Sequence, residues 1–309
     1  MSEREFDVVV IGELNVDLIL RGDVTPVFGQ VEKLVDDAVL TIGSSAAIFA
    51  CGAARLGLRT AFIGTCGDDE FGRYLLRALS AHGIDTRGVV VNPAIKTGLT
   101  VHLSRGADRA MLTHPGSIPL LRSTDIDWQL LVQARHLHLA SYFLLDGLRP
   151  DVPRLFGAAH AAGLTISLDT NYDPSEGWDG GVQDALREVD IFLPNETELR
   201  RITQRNSVEA GLTQLCDRVP LVAVKQGVEG ATACQHGNFT HAESIPMQVV
   251  DTTGAGDSFD AGFIYGYLAG WDVPRTLGFA CVCGALSTQS QGGTGAQATL
   301  AQALEFLTG

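Results

Sequence analysis

Apolar runs of strand length alternate with helix-length segments along most of the chain. Residues 6–11, 60–65, 136–140, 164–168, 190–193 and 221–224 are nearly continuous apolar stretches rather than polar–apolar alternations. Such runs predict strands buried on both faces, as in a parallel sheet covered by helices. The intervening segments 46–56, 70–82, 153–162, 196–202 and 208–218 read as helices. The order predicts an α/β fold with a doubly wound, mostly parallel sheet flanked by helices. Helices rich in small residues are expected at about 255–269, 275–290 and 297–307. Two regions depart from the rhythm. Residues 16–22 with 33–40, and 97–105 with 109–113, alternate in polarity without intervening helices. They predict hairpin-like strands with one solvated face. Residues 1–309 thus read as a single domain carrying a small β-sheet lid from about 16–40 and 97–114.

The charge balance narrows the chemistry. The chain has 22 Lys plus Arg against 36 Asp plus Glu, a net charge of −14. An acidic surface repels phosphate backbones and anionic lipid, so nucleic-acid and membrane partners are not expected. None of the three lysines (Lys33, Lys96, Lys225) follows a glycine, so no Walker A loop exists. No apolar run approaches a membrane span. The first residues, acidic and leading straight into a strand, do not read as a leader. Six cysteines lacking C-x-x-C spacing fit a reduced, cytoplasmic protein.

The most informative stretch runs from Val249 to Phe263, VVDTTGAGDSFDAGF. A β-like run over 245–250 stops at Asp251, a Gly/Thr turn follows, and a helix begins. Glycines there let backbone amides approach an anion, and the helix N-terminus adds partial positive charge, so phosphate needs no lysine. Asp257 is out of place at a phosphate site unless it serves as a general base toward an attacking hydroxyl. The plain alternative is a Gly-rich turn with Asp257 as a helix cap. A dinucleotide fingerprint does not fit, because Phe259 stands where its third glycine would be.

DTTGAGDSFDAGF resembles the second signature of the PfkB-type, ribokinase-like carbohydrate kinases. Asn15-Val16-Asp17, the 64–72 segment GTCGDDEFG, Asp169-Thr170-Asn171, Asn195-Glu196-Thr197-Glu198 and the 225–230 segment KQGVEG agree with it in order and spacing. The resemblance implies transfer of the ATP γ-phosphoryl group to an alcohol of a sugar-like acceptor. It assigns Asp257 as base and Gly254, Ala255 and Gly256 as an anion hole. Asn195 and Glu198 would position Mg²⁺ through water, with the nucleotide phosphates. Lys225, Gly227 and Gly230 would lie along the nucleotide. Asp17 and Asn15 would grip acceptor hydroxyls, with Gly43 and Ser44 beside them. Asp251 and Thr253, with the loop 291–295, would match a monovalent-cation (K⁺) site, and the lid would suit homodimer pairing.

Two departures concern the acceptor and the base. The family's G-G-x-x-x-N-x-A reads here GSSAAIFA over 43–50, so Ser44 replaces a glycine and Ile48 an amide. An alkyl group at 48 offers a hydroxyl no partner. This leaves open a less polar acceptor, including a nucleoside, a core role for Ile48, or a non-catalytic sugar or nucleotide sensor. Cys281 stands where relatives often carry Asn near the adenine. Cys281 and Cys283, two apart on a helix, point about 200° apart and read as buried thiols rather than a chelate. His136 and His138 share a strand face and raise an H-x-H metal motif, though no third ligand lies nearby in sequence. Their expected place is near the strand end beside Ser141.

Overall fold

The computed structural model describes residues 4–105 and 108–307. Residues 1–3, the start of the segment read as lacking a leader, and residues 106–107 and 308–309 lie outside the described set. In chain order the strands are β1 (Phe6–Ile11), β2 (Asn15–Arg21), β3 (Asp37–Ile42), β4 (Thr60–Gly67), β5 (Asp85–Asn92), β6 (Gly98–Arg105), β7 (Asp108–His114), β8 (Ala134–Leu139), β9 (Thr165–Leu168), β10 (Ile191–Phe192), β11 (Leu221–Lys225), β12 (Ala231–Gln235) and β13 (Asn238–Ala242). Nine of them form one sheet in the order β13-β12-β11-β10-β9-β8-β1-β4-β5. The pairs from β11 to β5 are parallel, and β12 and β13 add an antiparallel edge.

The alternation of side chains along a strand explains the continuous apolar runs. Val8 and Val10 of β1 enter the core on one face, while Val9 and Ile11 enter the core on the other. Both faces are therefore dry, and every residue of β1 but one is buried. The helices Ala255–Leu268 and Val273–Ser287 cover the first face and pack closely. A Cβ at Gly262 would come within 2.9 Å of Cys283 Sγ, so the contact requires the missing side chain. Among the described residues no helix is long and apolar enough to cross a membrane.

The four remaining strands form a smaller sheet, β3-β2-β6-β7. Two antiparallel pairs were expected, and the structure joins them through a parallel pairing of β2 with β6. Local alternation cannot reveal that pairing, because its partners lie about eighty residues apart. Met111 and Leu112 of β7 are more than half exposed, as are Phe28 and Leu34 in the loop between β2 and β3.

Three expectations are corrected. Residues 245–250 form no strand: Pro246 lacks an N–H, and the segment instead walls a pocket described below. Strands β5 and β13 lie at the sheet's two edges, where one solvated face breaks up the apolar run, while β12, paired on both sides, has its run broken by Thr232 and Gln235, and pattern reading missed all three. Not all cysteines are free, because Cys216 and Cys234 form a disulfide. They are 18 residues apart, beyond any local spacing rule, and are brought together as the helix Val208–Cys216 packs against β12.

Candidate active site

The carboxyl ends of the parallel strands collect the polar residues. Glu13 follows β1, Ser141 follows β8, Asp169 follows β9, Asn195 follows β10, and Lys225 ends β11. All line one cavity of about 1000 Å³ that is bounded on the far side by the smaller sheet, through Thr100, His102, Arg109 and Met111. In open α/β sheets this edge is where ligands bind, because loops and helix N-termini converge there. A second cavity of about 550 Å³ adjoins it, lined by Gly227, Gly230, the 245–249 wall, Phe259 and Cys281. The two share Lys225, Gly227, Thr252 and Gly256.

The junction is the turn that starts the helix Ala255–Leu268. Gly254 is its N-cap at φ +75°, and a Cβ there would also strike Gly293 Cα at 2.6 Å and Ile48 Cγ2 at 2.9 Å. Only glycine meets both demands. The amides of the first turn have no acceptor within the helix, and that of Ala255 donates to Thr252 O at 3.2 Å. Asp257 is the third helical residue, not the cap, which removes the capping account of that carboxylate. It is 8% exposed and lines the larger cavity. Burial and then the charge of Asp169 push its carboxyl up to about 8, with Glu13 adding and Lys225 opposing. Asn171 Nδ2 donates to Ser45 Oγ at 2.6 Å, and Ser45 in turn opposes the rise of the Asp257 carboxyl.

Asn195 and Glu198 form a reciprocal cap on the helix Glu196–Thr203. Glu198 N–H donates to Asn195 Oδ1 at 3.0 Å, Asn195 N–H donates to Glu198 Oε2 at 2.9 Å, and Asn195 Nδ2 donates to Oε1 at 2.5 Å. Both residues still face the large cavity. Burial, then Asp169, raises the Glu198 carboxyl to about 7. Among the described residues no three His, Cys, Asp or Glu groups could together hold a metal. A single hard carboxylate beside open space suits a cation that keeps its waters and takes phosphate oxygens, as Mg²⁺ does.

Lys225 has partners that the sequence reading did not give it. Its ammonium lies 2.9 Å from Asp169 Oδ2 and 3.0 and 3.1 Å from the two oxygens of Asp260. These two buried carboxylates hold it close to Gly256, where it lines both cavities. Burial alone would lower the Lys225 pKa, but Asp169 and Asp260 outweigh it and raise it. Asp260 was quoted in the motif without a role, since only the tertiary structure brings it to Lys225.

On the acceptor side, Asn15 Nδ2 donates to Asp17 Oδ1 at 3.2 Å, and His102 Nε2 from β6 lies 3.0 Å from Asp17 Oδ2. Gly43 is required beside them, because a Cβ would come within 2.1 Å of Asp17 Oδ1. Ser44 is corrected to a helix cap: its Oγ accepts Ala47 N–H at 2.9 Å, donates to Glu13 O at 2.5 Å, and is fully buried. Ile48 lines the cavity and packs against Gly254 and Gly293. Asp251 accepts N–H bonds from Thr253 at 2.9 Å and Gly292 at 3.1 Å, tying the two loops expected around a monovalent cation. Arg109 donates to Thr253 Oγ1 at 2.8 Å and so links the smaller sheet to this turn. Gly227 and Gly230 both have positive φ and border the second cavity, where Cys281 is a buried thiol raised to about 12 by burial.

His136 and His138 are wholly buried and do not reach the cavity. Ser167 Oγ lies 2.7 Å from a nitrogen of each, and His138 stacks on Phe49. Burial first, and then like charge, lowers the His136 pKa well below the usual range, so this pair is core packing rather than a metal motif. Sequence reading also missed Glu13 and Ser45, and it gave Asn171, named within a matching segment, no role. The available signal was position alone: Glu13 directly follows a buried strand of a parallel sheet.

The pfkB family carbohydrate kinase profile matches residues 5–300. The chain is 32% identical to an ATP-dependent ribose-1-phosphate kinase of Halopiger xanaduensis, covering 92% of this chain and 93% of that one. It is 27% identical to a 5-dehydro-2-deoxygluconokinase of Geobacillus kaustophilus over 99% of this chain and 95% of that one. A protein described as ribokinase II from E. coli, solved in complex with ATP and Mg²⁺, superposes with a TM-score of 0.87 at 27% identity, covering 98% and 99% of the two chains. A ribokinase-like fold, two adjoining cavities at the carboxyl edge of its sheet and a profile spanning the chain lead to one assignment: this protein belongs to the pfkB family and is a carbohydrate kinase.

Proposed function

We propose that Asp257 is the general base of an ATP-dependent transfer to a hydroxyl of a sugar-like acceptor. The observation that carries this is its place in the larger cavity, next in the chain to Gly256, which lines both cavities, and in the first turn of its helix. The acceptor occupies the space between Asp257, Asp17 and the smaller sheet, and the nucleotide base occupies the second cavity. Asp257 takes the proton from the attacking oxygen as that oxygen bonds to the γ-phosphorus and the bond to ADP breaks. The amides of 254–256 receive the charge that builds on the transferring group. Asn195 and Glu198 hold Mg²⁺ through water, and that ion supplies the charge neutralisation that an acidic, lysine-poor chain lacks. A K⁺ ion between the Asp251–Thr253 turn and the loop 291–295 completes the site. The smaller sheet acts as a lid that excludes water, with Arg109 latching it to the turn.

The test is ADP release over a panel of sugars, sugar phosphates, sugar acids and nucleosides. Release with at least one sugar, abolished when the divalent metal is chelated, is the expected result. No release with any acceptor, with ligand-induced stabilisation only, would mean a sensor instead. Release with nucleosides alone would move the acceptor to that class.

Acidity should shape the rate. A base must be ionised, and the Asp257 carboxyl is raised to about 8, so kcat/KM should fall as pH drops through that value. The fall is expected to be about tenfold per pH unit. A flat profile between pH 6 and 9, with substrate binding unchanged, would contradict the assignment.

A further inference from the structure

We propose that Glu13 is a specificity-determining residue that reads a hydroxyl of an uncharged acceptor, so that neutral polyhydroxy compounds rather than phosphorylated or carboxylated sugars are the substrates. This rests on the kinase reading above and deepens it. Glu13 lines the acceptor cavity and is only 4% exposed. Burial raises its carboxyl pKa, and the backbone of Glu13, the Ser141 side chain and the backbone of Ser45 and Ala46, at the start of the eleven-residue helix Ser45–Arg55, oppose that rise. One carboxyl oxygen, Oε2, is buried and has no partner in the protein. A buried carboxyl lining a ligand cavity with an unpartnered oxygen calls for a ligand atom to complete it.

The chemistry of that ligand atom follows from the surroundings. The neighbouring acidic groups are already matched: Asp17 with Asn15 and His102, and Asp169 with Lys225. Glu13 and Asp257 line the same cavity, and the charge of Glu13 helps raise the Asp257 carboxyl. A phosphate or carboxylate of the acceptor placed at Oε2 would set a full negative charge among buried acidic groups in a dry site. The cation reaching this cavity from the smaller sheet, Arg109, is turned to the Thr253 and Asp251 end. A hydroxyl meets the need in either protonation state of Glu13, since it donates to a carboxylate and accepts from a carboxylic acid. Ile48 leaves its part of the wall without a polar group, so Glu13 supplies a contact that the 43–50 segment does not.

The experiment pairs Glu13→Gln with singly deoxygenated acceptors. For the best neutral acceptor, the native enzyme should lose on the order of ten- to a hundredfold in kcat/KM at one deoxy position. Glu13→Gln should raise the acceptor KM similarly, leave the ATP KM within about twofold, and no longer distinguish that deoxy analogue. If the native enzyme releases no ADP with any acceptor, the kinase reading itself fails and this one with it. If the native enzyme works but Glu13→Gln keeps its acceptor KM, or no deoxy position costs the native enzyme as much as fivefold, Glu13 does not read a hydroxyl. A native preference above tenfold for phosphorylated or carboxylated acceptors would overturn the substrate class. The deoxy series on the native enzyme decides the matter even if Glu13→Gln fails to fold.

Discussion

Asp257→Asn should lower kcat by roughly 10²- to 10⁴-fold while ATP still binds and the melting temperature holds or rises. The substitution keeps the shape of the side chain and removes its capacity to take a proton. It leaves Gly254 at φ +75° and the first-turn amides in place, so the anion site survives. Stability should not suffer, because burial already disfavours the charged carboxyl and Asn removes that burden. The measurements are single-turnover ADP formation, nucleotide titration and thermal unfolding on the same preparation. Turnover within tenfold of native would remove Asp257 from the role of base. Loss of nucleotide binding would instead make it part of the anion site.

The largest stability effect should come from Lys225→Met. The ammonium is the shared partner of Asp169 and Asp260, whose side chains are 4% and 1% exposed. Removing it leaves two carboxylates buried against each other, a change of roughly 3–5 kcal/mol, or on the order of 10 °C in melting temperature for a chain of this size. The sign with pH is also fixed. Without Lys225, the folded-state pKa values of both carboxyls rise above their unfolded values, so the folded state binds more protons. The variant should therefore regain stability as pH falls from 7 toward 5. Adding Asp260→Leu to Lys225→Met should recover part of the loss at pH 7. A single variant that melts within 2 °C of native at pH 7 would show that the node is dispensable. Lys225 also restrains the Asp257 carboxyl, so the variant should move the acidic limb of the rate profile upward.

The architecture was largely legible because a parallel sheet buried on both faces writes itself as continuous apolar runs. Strands β1, β4, β8 and β11 stand where those runs stand. Strands β5 and β13 escaped because edge strands have a solvated face, and β12 because Thr232 and Gln235 interrupt its apolar run. The 245–250 run misled because apolar residues also wall a ligand pocket, where no ladder forms. In the site, the Gly-Ala-Gly-Asp turn was legible because backbone demands are local: φ at Gly254 and the amides that follow depend on neighbours in sequence. The Asn195–Glu198 cap was legible for the same reason.

What could not be read was every partnership made across the sheet. Lys225 read as a nucleotide contact, and only the folded sheet adds Asp169 and Asp260, 56 and 35 residues away, as its partners. Ser44 looked like an acceptor contact until its hydroxyl was found bound to the backbone of Glu13. Cys216 and Cys234 lay too far apart in sequence for a spacing rule to pair them. By itself the sequence determined the layered fold, the phosphate turn and the candidate base, because hydrophobic periodicity and glycine conformations act over a few residues. The tertiary structure alone decided which charges are neutralised and which remain for substrate. Burial and Coulomb energy depend on distances in space, and strands joined only through the folded sheet set those distances.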